Sequence, residues 1–126
     1  MFKRLFIYIY LLFQFIYPSD SEEYVLLISM DGFRYDYLNK ANTPNFDLLI
    51  QSGVTSNALV PVFTTKTFPN HYSIATGMYA ENHGLIANTF YASDLKKPYA
   101  IRDRNAVENG DFYGGEPIWV TAERQG

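Results

Sequence analysis

The segment "YVLLIS", Tyr24–Ser29, is a continuous apolar run of strand length in a chain of 126 residues. Such a run predicts a strand buried on both faces, as in a parallel sheet that is covered by helices. It ends at "MDGFR", where Gly32 breaks the pattern directly after Asp31. A weaker second candidate strand is "VTSNALVPV", residues 54–62, which a proline closes.

Two predicted helices alternate with these strands. The first runs from a cap at Thr43 to a stop at Gly53 and has a proline in its first turn. The second runs from about Phe68 to Thr76 and ends at Gly77. The order strand, helix, strand, helix indicates an α/β layered domain.

The rest of the chain adds few elements that could complete a sheet. "HGLIANTFYA", residues 83–92, predicts a further strand around a turn, residues 91–113 are interpreted as surface loops, and "GGEPIWVTAERQG", residues 114–126, begins a helix. Because a sheet of two or three strands is a poor stand-alone α/β fold, we expect an incomplete domain, the front part of a longer protein.

The first residues are typical of an export signal. Lys3 and Arg4 precede an apolar run from Leu5 to Tyr17, which is shorter than the ~20 residues of a membrane-spanning helix. We therefore predict a secretory signal peptide over residues 1–21, with cleavage nearer Ser19 as a variant and a buried core helix as the alternative. The prediction places the protein in the secretory pathway, outside the cell or at its surface.

Charge and cysteine content narrow the function classes. Ten basic and thirteen acidic residues give a formal net charge of −3, and no basic stripe is present, so binding to a nucleic-acid polymer is not expected. The absence of cysteine favours a reducing compartment and conflicts with export. The export signal carries more weight, since secreted domains often place their disulfides in only part of the chain.

Two polar residues stand where an α/β sheet places its ligands, beyond the strand ends and at a helix start. Asp31 could bind a divalent metal ion through its carboxylate, or simply accept the hydrogen bonds of a turn. Thr67 could cap the second helix, or its hydroxyl could attack phosphorus beside free helix N–H groups. Phe68 and Trp119, taken alone, are more often core residues than ligand platforms. Composition and spacing leave these alternatives open.

Four sequence blocks together resemble the ectonucleotide pyrophosphatase/phosphodiesterase family of the alkaline phosphatase superfamily. They are "LLISMDGFRYDYL", "NTPNFDLLIQSGV", "VPVFTTKTFPNHYSIATGMYAENHGLIAN" and "GEPIWVTAERQG", in that order, and they span about Tyr24 to Gly126. The resemblance implies that residues 22–126 form the N-terminal portion of a catalytic domain with a layered α/β/α fold.

The resemblance also implies a two-zinc phosphodiesterase that hydrolyses phosphodiester or pyrophosphate bonds of extracellular nucleotides or other small phosphodiesters. Asp31 matches a zinc ligand, and Thr67 matches the nucleophile, which also contacts that zinc. Asn88 matches the residue that holds the phosphate oxygens. Phe68 matches a residue lining the nucleobase slot, and Trp119 one near the base or ribose.

The chain departs from the family pattern in what it lacks. The family's remaining zinc ligands, two aspartates and three histidines, come from sequence downstream of "EPIW", and Thr89 stands where many members carry a lysine. We therefore expect the chain alone to be inactive, and a catalytically inactive secreted fragment or binding module is the alternative function. Whether a membrane anchor follows in a C-terminal part stays open. A sulfatase is disfavoured because the chain has no cysteine.

Overall fold

The computed structural model describes residues 24–126, and the predicted signal peptide lies outside them. The elements are a 3₁₀ turn (Tyr37–Asn39), α1 (Pro44–Ser52), α2 (Thr67–Thr76), α3 (Ala80–His83), β1 (Thr89–Ala92), β2 (Lys97–Ala100), α4 (Arg104–Val107), a second 3₁₀ turn (Gly110–Phe112) and α5 (Ile118–Gln125). Within residues 24–126, none of the helices has the length and apolar character needed to cross a membrane.

The two apolar runs predicted as strands form no strand. Residues 25–30 and 54–62 have no regular secondary structure, and nearly all of their apolar side chains are exposed, by 87% at Val25 and 85% at Val60. A strand exists only where a neighbouring strand accepts and donates its backbone hydrogen bonds. The one sheet in the described part of the chain is the β1–β2 pair, so the predicted strands have no neighbour there.

The β1–β2 hairpin is antiparallel and brings aromatic residues onto one side. Phe90 pairs with Tyr99 in the register, and their ring centroids are 5.1 Å apart. The hairpin confirms the strand predicted within residues 83–92. The interpretation of residues 91–113 as surface loops is wrong, because this stretch contains β2, α4 and the buried Phe112. Its frequent polar residues obscured the few that point inward.

Tyr99 is the centre of the small core. Its side chain is fully buried and packs with Leu85, Ala106 and Phe112. The hydroxyl of Tyr113 donates to the carbonyl of Val107 at 2.9 Å, so it accepts the hydrogen bond from the Tyr99 hydroxyl, also at 2.9 Å. Burial and this bond raise the pKa of Tyr99 far above its usual value, and the phenol stays protonated.

The helix boundaries follow their predicted signals. α1 begins at the predicted proline, and Gly53 closes it with a hydrogen bond to the carbonyl of Leu49. Gly77 ends α2 with φ of 69°, a left-handed conformation that glycine adopts without strain. Thr43 is the N-cap, as predicted: its carbonyl accepts the backbone N–H of Asp47 at 3.0 Å, and its hydroxyl makes no capping bond to the helix.

His83 joins α2 to the loops around the core. Its imidazole is fully buried, Nδ1 accepts the backbone N–H of Leu85 at 3.1 Å, and Nε2 lies 2.9 Å from the hydroxyl oxygen of Ser73. Because Nδ1 is an acceptor, the proton of the neutral ring lies on Nε2. Burial lowers the pKa of His83 from 6.5, since the charged form loses its hydration.

Acid should therefore destabilise the fold through His83. Below pH 6.5 His83 takes up a proton in the unfolded chain but not in the folded protein, where the ring is buried. The contribution of neutral His83 to the free energy of unfolding is therefore fully present above pH 6.5 and is lost as the pH falls. It should fall below that pH by at most about 1.4 kcal/mol per pH unit. Urea unfolding between pH 7.5 and 5.0, followed by circular dichroism, measures this slope. His83→Gln should flatten it, and an unchanged slope in this variant would contradict the assignment.

Candidate active site

Thr67 is the first residue of α2, and its hydroxyl faces Asp31. Lys66 is the N-cap and has an extended conformation, so the alternative interpretation of Thr67 as the N-cap is wrong. Thr67 Oγ1 lies 3.4 Å from Asp31 Oδ2, in position to donate to it. The hydroxyl is thus directed at a carboxylate rather than at the free N–H groups of its own helix.

Asp31 lies in the turn that follows residues 25–30, hereafter the exposed run, and is itself 65% exposed. Its Oδ1 is 3.9 Å from His71 Nε2, and His71 Nδ1 is 2.6 Å from the hydroxyl oxygen of Ser29. Asp31, Thr67, His71 and Ser29 thus form one polar cluster. Sequence reasoning missed His71 in this role, although its spacing of four residues from Thr67 places both on one face of α2.

The polar cluster has the donor chemistry of a zinc site but too few ligands to close one. A carboxylate, a hydroxyl and an imidazole all suit zinc. Residues 24–126 nevertheless hold no group of three His, Cys, Asp or Glu side chains placed to bind a metal ion. Asp31 and Thr67 therefore fit part of a metal site, and its completion needs ligands from elsewhere.

Asn88 lies beside the same helix start. It precedes β1, and its Oδ1 accepts the backbone N–H of Phe68, the second residue of α2, at 3.2 Å. The backbone N–H of Phe68, which has no partner within the helix, is therefore bonded to a neutral side chain. The structure thus brings Asp31, Thr67 and Asn88, three of the predicted site residues, to one end of α2.

Phe68 and Trp119, the other two predicted site residues, both line an apolar cavity of about 790 Å³. Phe68 is partly buried, with its ring centroid 6.5 Å from that of Tyr99, whereas Trp119 on α5 is 58% exposed. The cavity is lined by α2, α5 and the exposed run. Its lining includes His71 but not Asp31, Thr67 or Asn88. Ser29 and His71 belong to the polar cluster and also line the apolar cavity, so the two sites adjoin.

The charged residues just after Asp31 neutralise one another. Asp36 forms ion pairs with Arg34 and with Lys40, the latter at 2.8 Å. The hydrogen bond from Arg34, with one from Lys40, holds the pKa of the Asp36 carboxyl well below its usual range. The negative charge of Asp36 is therefore balanced by Arg34 and Lys40. Asp31 is the carboxylate that accepts the hydrogen bond from Thr67.

Comparison with known proteins adds family information to this geometry. The family model for type I phosphodiesterase / nucleotide pyrophosphatase matches residues 25–126. Human ectonucleotide pyrophosphatase/phosphodiesterase family member 5 is 41% identical over 106 residues, 84% of this chain. Mouse bis(5′-adenosyl)-triphosphatase is 46% identical over 107 residues, 85% of this chain. The chain spans only 22% and 23% of the lengths of these two relatives.

Solved structures resemble the chain in the same way. Murine ectonucleotide pyrophosphatase / phosphodiesterase 5 matches with a TM-score of 0.70 and 42% identity, over 76% of this chain and 26% of that one. An inactive threonine-to-alanine variant of the murine protein, in complex with AMP, matches with a TM-score of 0.71 and 41% identity, over 78% of this chain and 26% of that one. The polar cluster and the apolar cavity thus lie in a segment that covers about a quarter of these solved chains.

Proposed function

Because the chain belongs to the type I phosphodiesterase / nucleotide pyrophosphatase family, we propose that it supplies the nucleophile segment of a domain that hydrolyses phosphodiester or pyrophosphate bonds of nucleotides. One observation carries this proposal. The Thr67 hydroxyl oxygen lies 3.4 Å from the Asp31 carboxylate, at a helix start. A hydroxyl beside a carboxylate, at the positive end of a helix dipole, is suited to attack a phosphorus atom whose oxygens are negatively charged.

In the proposed reaction Thr67 is the nucleophile of a first step and the leaving group of a second step. Its oxygen bonds to phosphorus as the leaving group departs, which gives a phosphoryl- or nucleotidyl-threonine intermediate, and water then cleaves the bond between phosphorus and the threonine oxygen. Asp31 and Thr67 would each contribute a ligand to a zinc pair whose other ligands come from outside residues 24–126. When bound, zinc supplies a lower pKa for the hydroxyl and neutralises charge on the phosphate. Asn88 would donate its side-chain N–H to a phosphate oxygen where charge develops.

Phe68 and Trp119 are proposed to contact the nucleoside. Both line the apolar cavity, and an aromatic face suits a stacked base. The murine relative in complex with AMP supports a nucleotide as the substrate class. We also propose that residues 1–21 direct the chain into the secretory pathway, towards the extracellular space or the cell surface.

The chain by itself should not catalyse this reaction. The polar cluster offers one carboxylate, one imidazole and the hydroxyls of Thr67 and Ser29, so the zinc pair stays incomplete. This leaves an inactive secreted fragment or binding module as the second candidate function for the isolated 126-residue chain.

A chimera separates the two functions. Residues 25–126 of this chain would replace the aligned segment of murine ectonucleotide pyrophosphatase / phosphodiesterase 5 (hereafter the chimera). With zinc and a p-nitrophenyl nucleotide ester, the chimera should release p-nitrophenol and the 126-residue chain should release none above the uncatalysed rate. A folded, zinc-loaded chimera without activity, beside an active murine parent, would contradict the proposed function. Zinc-dependent and Thr67-dependent hydrolysis by the chain alone would show that its site is complete.

A further inference from the structure

The path of residues 62–66 determines where the Thr67 hydroxyl lies. This segment has no regular secondary structure and leads directly into α2. Thr67 is the first residue of the helix, so a shift of the preceding backbone moves its oxygen relative to Asp31. Something must therefore hold this segment in place.

The side chain of Asn70 makes three hydrogen bonds to this segment. Its Oδ1 accepts the backbone N–H of Val62 at 2.8 Å. Its Nδ2 donates to the carbonyl of Thr64 at 3.1 Å and to the carbonyl of Lys66 at 2.8 Å. Both amide hydrogens and the amide oxygen are thus used, and they bind three backbone groups within five residues. Among side chains of this length, only a primary amide provides one acceptor and two donors.

A second contact ties the same segment to the loop that carries Asn88. The hydroxyl of Thr64 donates to the carbonyl of Ile86 at 2.7 Å, and Asn88 in turn accepts the N–H of Phe68 at 3.2 Å. The segment held by Asn70 is therefore fixed both to α2 and to the other side of the site. Losing Asn70 would free the backbone on the Thr67 side while leaving the Asn88 contact intact.

We propose that Asn70 is a positioning residue, which holds residues 62–66 so that the Thr67 hydroxyl is aligned for attack. This inference rests on the proposed function of Thr67. A misplacement of about 1 Å at a reacting atom lowers a rate by about 100-fold, whereas binding of the rest of a nucleotide is hardly changed. The effect should therefore appear in kcat and not in affinity for AMP.

The test uses the chimera with Asn70→Ala and Asn70→Asp. Asn70→Asp keeps the size and the acceptor but replaces the two donors by an oxygen that repels the two carbonyls. Both variants should lower kcat for the p-nitrophenyl nucleotide ester by about 10- to 100-fold per folded molecule. The Kd for AMP, measured by calorimetry with bound zinc confirmed by metal analysis, should change less than two-fold. The exposed Asn82→Ala is the matched control and should keep both values.

The outcomes distinguish this inference from the function on which it rests. An inactive parent chimera, or an active Thr67→Ala, would remove the proposed function itself. An active parent with an inactive Thr67→Ala and an unchanged kcat in either Asn70 variant would overturn the positioning role alone. Equal losses in kcat and AMP affinity, or failure of both Asn70 variants to fold by circular dichroism, would also overturn it, because Asn70 would then serve the stability of the fold.

Discussion

Thr67→Ala in the chimera should lower kcat for the p-nitrophenyl nucleotide ester by about 10³-fold or more, because no other hydroxyl replaces a covalent nucleophile. The residue is partly exposed at the start of α2 and makes a single side-chain bond, to Asp31 at 3.4 Å, so the fold should tolerate alanine. The circular dichroism spectrum and the zinc content should show whether the variant is folded and loaded.

Two control variants test whether the loss is specific to the Thr67 hydroxyl. The exposed Thr65→Ala, two residues away, should keep full activity, and Thr67→Ser should keep measurable activity because it retains the hydroxyl. Trapping with a labelled substrate and acid quench should label the parent and Thr67→Ser on this residue. Turnover by Thr67→Ala within ten-fold of the parent would exclude Thr67 as the nucleophile.

Tyr99→Ala should have the largest effect on stability. The side chain is fully buried, contacts the rings of Phe90 and Phe112 at centroid distances of 5.1 Å, and bonds to the Tyr113 hydroxyl. Removing a buried aromatic ring leaves a cavity and costs about 3–5 kcal/mol. The Tyr113 hydroxyl also loses its donor. The loss should appear as a large drop in the thermal unfolding midpoint of the chimera and in its secreted yield.

The controls for this prediction lie in the same hairpin. Tyr91 on β1 is 61% exposed, so Tyr91→Ala should change the free energy of unfolding by less than about 1 kcal/mol. Tyr99→Phe keeps the ring and should cost only about 1 kcal/mol, the value of one hydrogen bond. Equal unfolding midpoints for Tyr99→Ala and Tyr91→Ala would show that the aromatic cluster does not stabilise the fold.

Much of the architecture could be predicted from the sequence. The α/β class and the place of the chain in an incomplete, alkaline-phosphatase-like domain are confirmed by the match to the murine catalytic domain. Helices α1 and α2 have the ends that Gly53 and Gly77 indicated, since glycine terminates helices by local backbone geometry. These features depend on short-range interactions, which a sequence shows directly.

The errors arise from long-range pairing. Residues 25–30 have the composition of a central strand, but composition cannot tell whether a partner strand is within the same segment. The role of Asn70 could not be predicted for a related reason. Its side chain bonds to three backbone groups, and backbone groups are the same in every residue type, so the sequence does not reveal these partners. The roles of Asp31, Thr67, Asn88, Phe68 and Trp119 stay predictions that the variants above address.

The exposed run from Val25 to Met30 has a consequence for the life of the protein inside a cell. The four consecutive large apolar side chains of residues 25–28 lie in a segment without regular secondary structure, and chaperones bind exposed segments of this kind. Identical chains can also join edge to edge through such segments. For a chain that enters the secretory pathway, as proposed above, retention and degradation would compete with release as long as these side chains stay uncovered. The amount of secreted protein would then measure the fraction of chains in which residues 25–30 are covered by another segment.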